Sequence, residues 1–378
     1  MRLVLILLFA LFGALICCTN SQDSKLGILV EDTEDFHGVK AASQEVNNLV
    51  SESMYYRELY KVIHEGDTEW FRRVMDQEIF RQLDVSSFFD INRQGSFQGK
   101  LKKSALHIAC EANHVEIAKI LIEMGANLEL KDDTLFTPLM VAASSGYIEL
   151  SRILMESGAK VDATGYHGIS PILMATKGRH KRIVEDLISH KVDVNTVNDE
   201  NISALIIASG AGELDLVELL VSAGADVNLR EISNNTALSW AIFQTQEKVV
   251  RYLLQNGASE SISYMNAYGM KCIHLATVKN STSILQMLLD NGANISDLNK
   301  EGKTALHFAA EIRNMEGIAE FLIEKGIDIG VIWEKGIEKM PYTAYDVANG
   351  KSHEKITKLI EDREVLLKLK DMTKNDEL

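Results

Sequence analysis

Residues 137–158 read TPLMVAASSGYIELSRILMESG, and the fold is decided there. Thr137 is placed to accept a backbone N–H at the start of a helix, and Pro138 takes the first helical position, where a missing donor costs nothing. Ala142 and Ala143 are small enough for a paired helix to approach closely. Gly146 interrupts the chain, after which Ile148, Leu150, Ile153 and Leu154 recur as the apolar stripe of a second helix. Gly158 suits the left-handed residue that ends such a helix. The AKVD run at 159–162 predicts an extended hairpin. One such unit has apolar surface on both flanks and needs neighbours to cover it.

The same grammar recurs along the chain. A hydroxyl residue, a small residue or proline, an aliphatic and, two places on, alanine begins at Ser104, Thr137, Ser170, Ser203, Thr236, Thr304 and Thr343, with Lys271 standing in for the hydroxyl once. The intervals are 33, 33, 33, 33, 35, 33 and 39 residues. A second marker keeps step: Gly125, Gly158, Gly224, Gly257, Gly292 and Gly326, with Lys191 in the glycine's place in the third unit. Two independent markers in phase do not arise from composition.

The pattern resembles the ankyrin repeat, whose signature is a 33-residue period carrying Thr-Pro-Leu-His-x-Ala. The resemblance covers roughly residues 55–365. It implies an all-α repeat solenoid, an ankyrin-repeat array of helix-turn-helix units with β-hairpin loops. It also implies binding of another protein on a concave face built from hairpin tips and the exposed edge of each first helix. In motif register those helix positions are Glu111, Ser144, Lys177, Gly210, Phe243, Val278 and Glu311. Aromatic and aliphatic side chains on such a face mark interface centres. The candidate partner-binding residues are therefore Tyr166, His167, Ile232, Trp240, Phe243, Tyr264, Tyr268 and Trp333. Trp240 has a second reading as filler beside a neighbouring turn. Trp333, within the insertion at Gly330–Met340, has one as a seal on the last hairpin. A shorter insertion near Ser259–Tyr264 also breaks the period, and repeat insertions favour the binding face.

The ends predict the remaining organisation. Residues 1–18 read as a signal peptide closing on a relaxed lipobox, LICC at 15–18, with Cys18 the candidate lipidation site and ordinary signal cleavage the alternative. Residues 19–50 read as a polar tether, 51–100 as N-terminal capping helices and 101–340 as the repeats. A C-terminal capping repeat at 341–365 and a charged tail at 366–378 complete the chain. The expected location is the periplasm or the surface of a bacterial cell, as a lipoprotein. Secretion is an alternative, as is the endoplasmic-reticulum lumen, because the closing NDEL approximates a retrieval signal; chance is the plainer reading of that match.

A net charge of −15 argues against nucleic acid, which needs a basic face, and against a protein body lying on anionic lipid. It favours a basic partner protein and solubility. The chain reads as a monomeric scaffold, with an inhibitor or immunity protein that blocks a toxin or enzyme as the alternative. No enzyme, cofactor or metal is expected. GSFQGK at 95–100 is a residue short of a phosphate loop, and His64-Glu65 has no second histidine four residues on. His107, His274 and His307 occupy the histidine place of the repeat, where the resemblance implies a hydrogen bond to the neighbouring turn. Cys110 and Cys272 read as buried thiols, and the sequons at Asn201, Asn234, Asn280 and Asn294 as chance.

Overall fold

Short helices packed side by side make up most of the described residues. The computed structural model describes residues 60–74, 91–92, 94–97, 100–335 and 340–375, so the expected signal peptide, lipobox, Cys18 and tether lie outside the described residues. The chain divides into two units, residues 1–127 and 128–378.

In the first unit residues 60–65 are helical and α1 (Thr68–Val74) follows. An antiparallel hairpin of β1 (Gly95–Phe97) and β2 (Lys100–Lys103) then leads into α2 (Ala105–Glu111) and α3 (Val115–Glu123). The hairpin corrects the expectation of capping helices throughout 51–100. Its residues carry no apolar stripe at helical spacing, and extended pairing satisfies their backbone instead. Tyr60, Ile63 and Phe71 are buried, and α1 packs on α3.

The second unit begins with six helix pairs. They are α4 (Pro138–Ser145) with α5 (Ile148–Glu156), α6 (Pro171–Lys177) with α7 (Lys181–Ser189), and α8 (Ala204–Ala211) with α9 (Leu214–Ser222). Next come α10 (Ala237–Phe243) with α11 (Glu247–Gln255), α12 (Cys272–Val278) with α13 (Thr282–Asp290), and α14 (Ala305–Glu311) with α15 (Glu316–Glu324). A hairpin of β3 (Trp333–Lys335) and β4 (Met340–Tyr342) precedes α16 (Ala344–Gly350) and α17 (Glu354–Asn375). First helices form one row, α4 through the even-numbered helices to α16, and second helices a parallel row from α5 to α17. The helix α17 runs without a break through residue 365, where a charged tail was expected to begin.

Local chemistry explains the elements. Thr137 Oγ1 accepts the Met140 N–H at 3.4 Å, and Gly146 ends α4 at φ 80°. The motif aliphatics Leu139, Leu173, Leu205, Leu238, Ile273 and Leu306 are all buried. Each contributes roughly 1.5–3 kcal/mol of apolar burial. Two details depart from the sequence reading. Ser170 makes no capping bond, and its hydroxyl is buried without a partner. The buried face of α5 is Leu150, Ser151, Leu154 and Met155, while Ile148 is 42% exposed. As the first residue of its helix, Ile148 leans back over the preceding turn and away from the packed face.

Candidate binding surface

The hairpin tips are built by a repeated brace. Asp132 Oδ1 accepts the N–H groups of Thr134 and Phe136, both at 2.9 Å. Asn198 does the same for Glu200 and Ile202 (3.0 and 2.8 Å), Asn266 for Tyr268 and Met270 (3.1 and 3.0 Å), and Asn299 for Glu301 and Lys303 (2.9 and 2.8 Å). Glu231 serves Ser233 and Asn235 with separate oxygens. Each tip also donates one backbone N–H to a carbonyl of the tip before it. The bonds run from Tyr166 to Thr134 (3.4 Å), Asp199 to His167 (3.0 Å), Ile232 to Glu200 (3.0 Å), Ala267 to Ser233 (2.8 Å) and Lys300 to Gly269 (2.8 Å). Tips tied at both levels hold their side chains outward with these backbone groups satisfied.

The structure sorts the expected contact residues into three groups. Tyr166 (60% exposed), Ile232 (68%) and Tyr268 (77%) stand out from three of the tips, with the Asp199 tip between the first two. His167 is also exposed, its ring edge-on to Tyr166 with centroids 3.9 Å apart and Nδ1 3.8 Å from an Asp199 oxygen. The second group lies on the first-helix row. Phe243 is 43% exposed, and half-buried Trp240 meets it edge-to-face with centroids 6.0 Å apart. The Trp240 indole N–H is buried with no hydrogen-bond partner. Half-buried Tyr264 forms a third group with Arg230, whose guanidinium carbon is 5.0 Å from the ring centre.

Trp333 is a correction. Only 7% of it is exposed, packed with the His307 and Tyr342 rings (centroids 6.4 and 6.2 Å) under the Lys303 ammonium, 3.9 Å from its ring centre. It seals the last hairpin, because a Trp on a strand beside a helix end covers most apolar area by turning inward. The shorter insertion also turns inward: Ala258–Ser263 forms a 3-10 turn with Ser261 and Ile262 buried.

Sequence reasoning missed Lys279, whose ammonium lies 3.7 Å from the Phe243 ring centre, an attractive cation–π geometry. Its signal was its register, one residue beyond Val278, the repeat equivalent of Phe243. Two of the repeat histidines, His274 and His307, hold neighbouring turns. His274 Nδ1 accepts the Lys271 N–H at 3.1 Å, leaving its Nε2–H to donate to the Asp297 carbonyl at 3.0 Å. Burial, partly opposed by that bond, lowers its pKa to about 4. His307 is likewise lowered by burial and bonds to the Tyr342 carbonyl at 3.4 Å. Cys110 and Cys272 are free and buried, with burial pushing the Cys272 thiol up to about 12. Among the described residues no three His, Cys, Asp or Glu side chains group as metal ligands would, and no helix is long and apolar enough to cross a membrane.

Braced tips beside a row of short first helices define a helical repeat array. The chain belongs to the ankyrin-repeat family: the family model for ankyrin repeats (3 copies) matches residues 73–165, 172–263 and 259–332. Repeats of this family generally mediate contacts between proteins. The chain is 38% identical over 96 residues to the B-cell lymphoma 3 protein homolog of Mus musculus, 24% of this chain and 21% of that protein. It is 34% identical over 96 residues to the B-cell lymphoma 3 protein of Homo sapiens, again 24% of this chain and 20% of that protein. It is 32% identical over 91 residues to the nuclear factor NF-kappa-B p105 subunit of Gallus gallus, 24% of this chain and 9% of that protein. The matches thus span about a fifth or less of these relatives.

Proposed function

We propose that the chain is an exported, non-enzymatic scaffold that binds one partner protein along its hairpin tips and first-helix row. The observation that carries this reading is Phe243, a large ring 43% exposed on a helix whose counterparts at that position are mostly small or polar. A solvated aromatic pair such as Trp240 and Phe243, beside exposed Tyr268 and Ile232, is the composition of an interface centre. Export rests on the apolar run at 1–16 and lipid anchoring on Cys18. Family resemblance supports the binding role, and the short matches to the curated relatives carry no particular partner with them.

The test is affinity capture with partner identification, followed by titration of the purified pair. Phe243→Asp and Tyr268→Ala are each expected to weaken the complex at least tenfold while leaving the melting temperature within about 2 °C of wild type, as exposed substitutions do. Variants that bind normally, or that unfold, overturn the assignment of this face. Cys18→Ser is expected to release the protein from membranes.

A further inference from the structure

Within the face proposed to bind a partner, the first-helix row has a charge sign opposite to that of the chain, whereas the tips carry Asp133, Asp199, Glu200 and Glu301 as an acidic rim. The five first-helix segments 137–146, 170–179, 203–212, 236–245 and 271–280 contain no Asp or Glu. At the chain's frequency of 54 acidic residues in 378, these fifty positions would hold about seven. Their charged residues are Lys177, Arg179, Lys271 and Lys279. The next first helix does place a carboxylate on this edge, Glu311, and Lys303 neutralises it at 3.0 Å.

The pairing of these cations separates them. Arg179 reaches Glu213 at 3.1 Å and Lys271 reaches Asp297 at 2.7 Å, so both are compensated. Lys177 is exposed, and neither it nor Lys279 has a carboxylate within ion-pair distance among the described residues. On the second-helix row, by contrast, Arg152 holds Asp186 at 2.9 Å and Arg182 holds Glu185 at 3.0 Å. Between the two uncompensated lysines the first-helix edge is apolar and stepped, with glycine at one repeat position and aromatic rings at the next. Gly210 has no side chain, and a Cβ there would stand 3.8 Å from Trp240, so Trp240 lies beside it, and Phe243 holds the equivalent position on the next first helix.

We infer that this face takes an acidic peptide segment of the partner, with an aliphatic or aromatic side chain seated over Gly210 against Trp240 and Phe243, and carboxylates meeting Lys177 and Lys279. This rests on the binding reading above and sharpens it. It reverses the basic partner that net charge alone favours, because a contact depends on local charge whereas the net charge acts at long range and is screened within about 10 Å at 0.1 M salt. Lys177 ends α6 and Lys279 directly follows α12, three helix steps of about 8–10 Å apart. At about 3.3 Å per residue, an extended segment of roughly nine residues spans them.

A random twelve-residue peptide display library selected on the full chain tests this. The enriched peptides should carry net negative charge around an aliphatic or aromatic residue. Their affinity should fall at least tenfold with Lys177→Glu/Lys279→Glu, and also with Gly210→Leu, which puts a side chain where the peptide's apolar group would sit beside Trp240; the melting temperature checks that both variants remain folded. Enrichment of basic or neutral peptides, failure to enrich any, indifference to charge reversal in a folded variant, or equal displacement by single-stranded DNA would each overturn the inference. If Phe243→Asp abolishes partner binding while the lysine reversals do not, the scaffold reading stands and the acidic-peptide inference alone fails.

Discussion

Leu135 holds φ at 61°, at a tip position filled by Gly168, Asn201, Asn234, Gly269 and Gly302 in the later units. A left-handed backbone costs an ordinary L-residue about 1–2 kcal/mol, and glycine loses part of that advantage to its freer unfolded chain. Leu135→Gly is therefore expected to raise stability by about 0.5–1 kcal/mol, read from urea unfolding; a loss would show that the exposed Leu135 side chain packs more than its burial implies. The same grammar explains the sequons: Asn201 and Asn234 occupy left-handed places two residues ahead of the capping Ser203 and Thr236, which alone writes N-x-S/T. His274 gives a pH signature. Its folded pKa, about 4, lies below the ordinary 6.5, so between those values the unfolded chain binds a proton that the fold refuses. Stability is full above pH 6.5 and falls as pH drops toward 4, by up to about 3 kcal/mol. His274→Gln should flatten this window relative to wild type, and parallel curves would exclude His274 as the source. That these histidines are structural was legible in their motif position; the size of the shift was not, because it depends on burial.

At the scale of elements, the helices were legible and the strands were not. Caps, glycines and a period near 33 residues reinforce one another in most pairs, whereas β1 has three residues and β2 four, too few to show alternation. The tips lie between these cases. Their braces come from Asp132, Asn198, Glu231, Asn266 and Asn299, different side chains sharing one acceptor role, so the eye sees no motif. Asp132 also accepts the Thr134 hydroxyl at 2.6 Å, and only 6% of it is exposed. Asp132→Ala strands two N–H groups and should cost about 2–3 kcal/mol, while Asp132→Asn, the residue used in three other tips, should cost under about 1 kcal/mol. Equal losses for the two variants, measured by thermal and urea unfolding, would remove the brace from this account.

For the molecule as a whole, the array was legible because its period outruns chance, and the exposure of the candidate binding residues was legible only in part. Register placed Phe243, Tyr166, Ile232 and Tyr268 in solvent correctly, since exposure follows position within a repeat. It misplaced Trp333, which lies in an insertion that has no register, and it passed over Lys279 because pairing across neighbouring units depends on side-chain direction. Trp333→Ala should therefore act on stability, costing about 3–5 kcal/mol and loosening the C-terminal pairs first, with partner affinity unchanged. The tip-to-tip bonds carry one further consequence. Cutting out residues 166–198 would bring the Asp199 N–H opposite the Thr134 carbonyl that Tyr166 now serves, and every later rung would close as before. A cut a few residues longer or shorter would leave a rung hanging. The reach of the protein is thus adjustable in evolution by whole rungs, so that footprint size can change without redesign of the parts that grip.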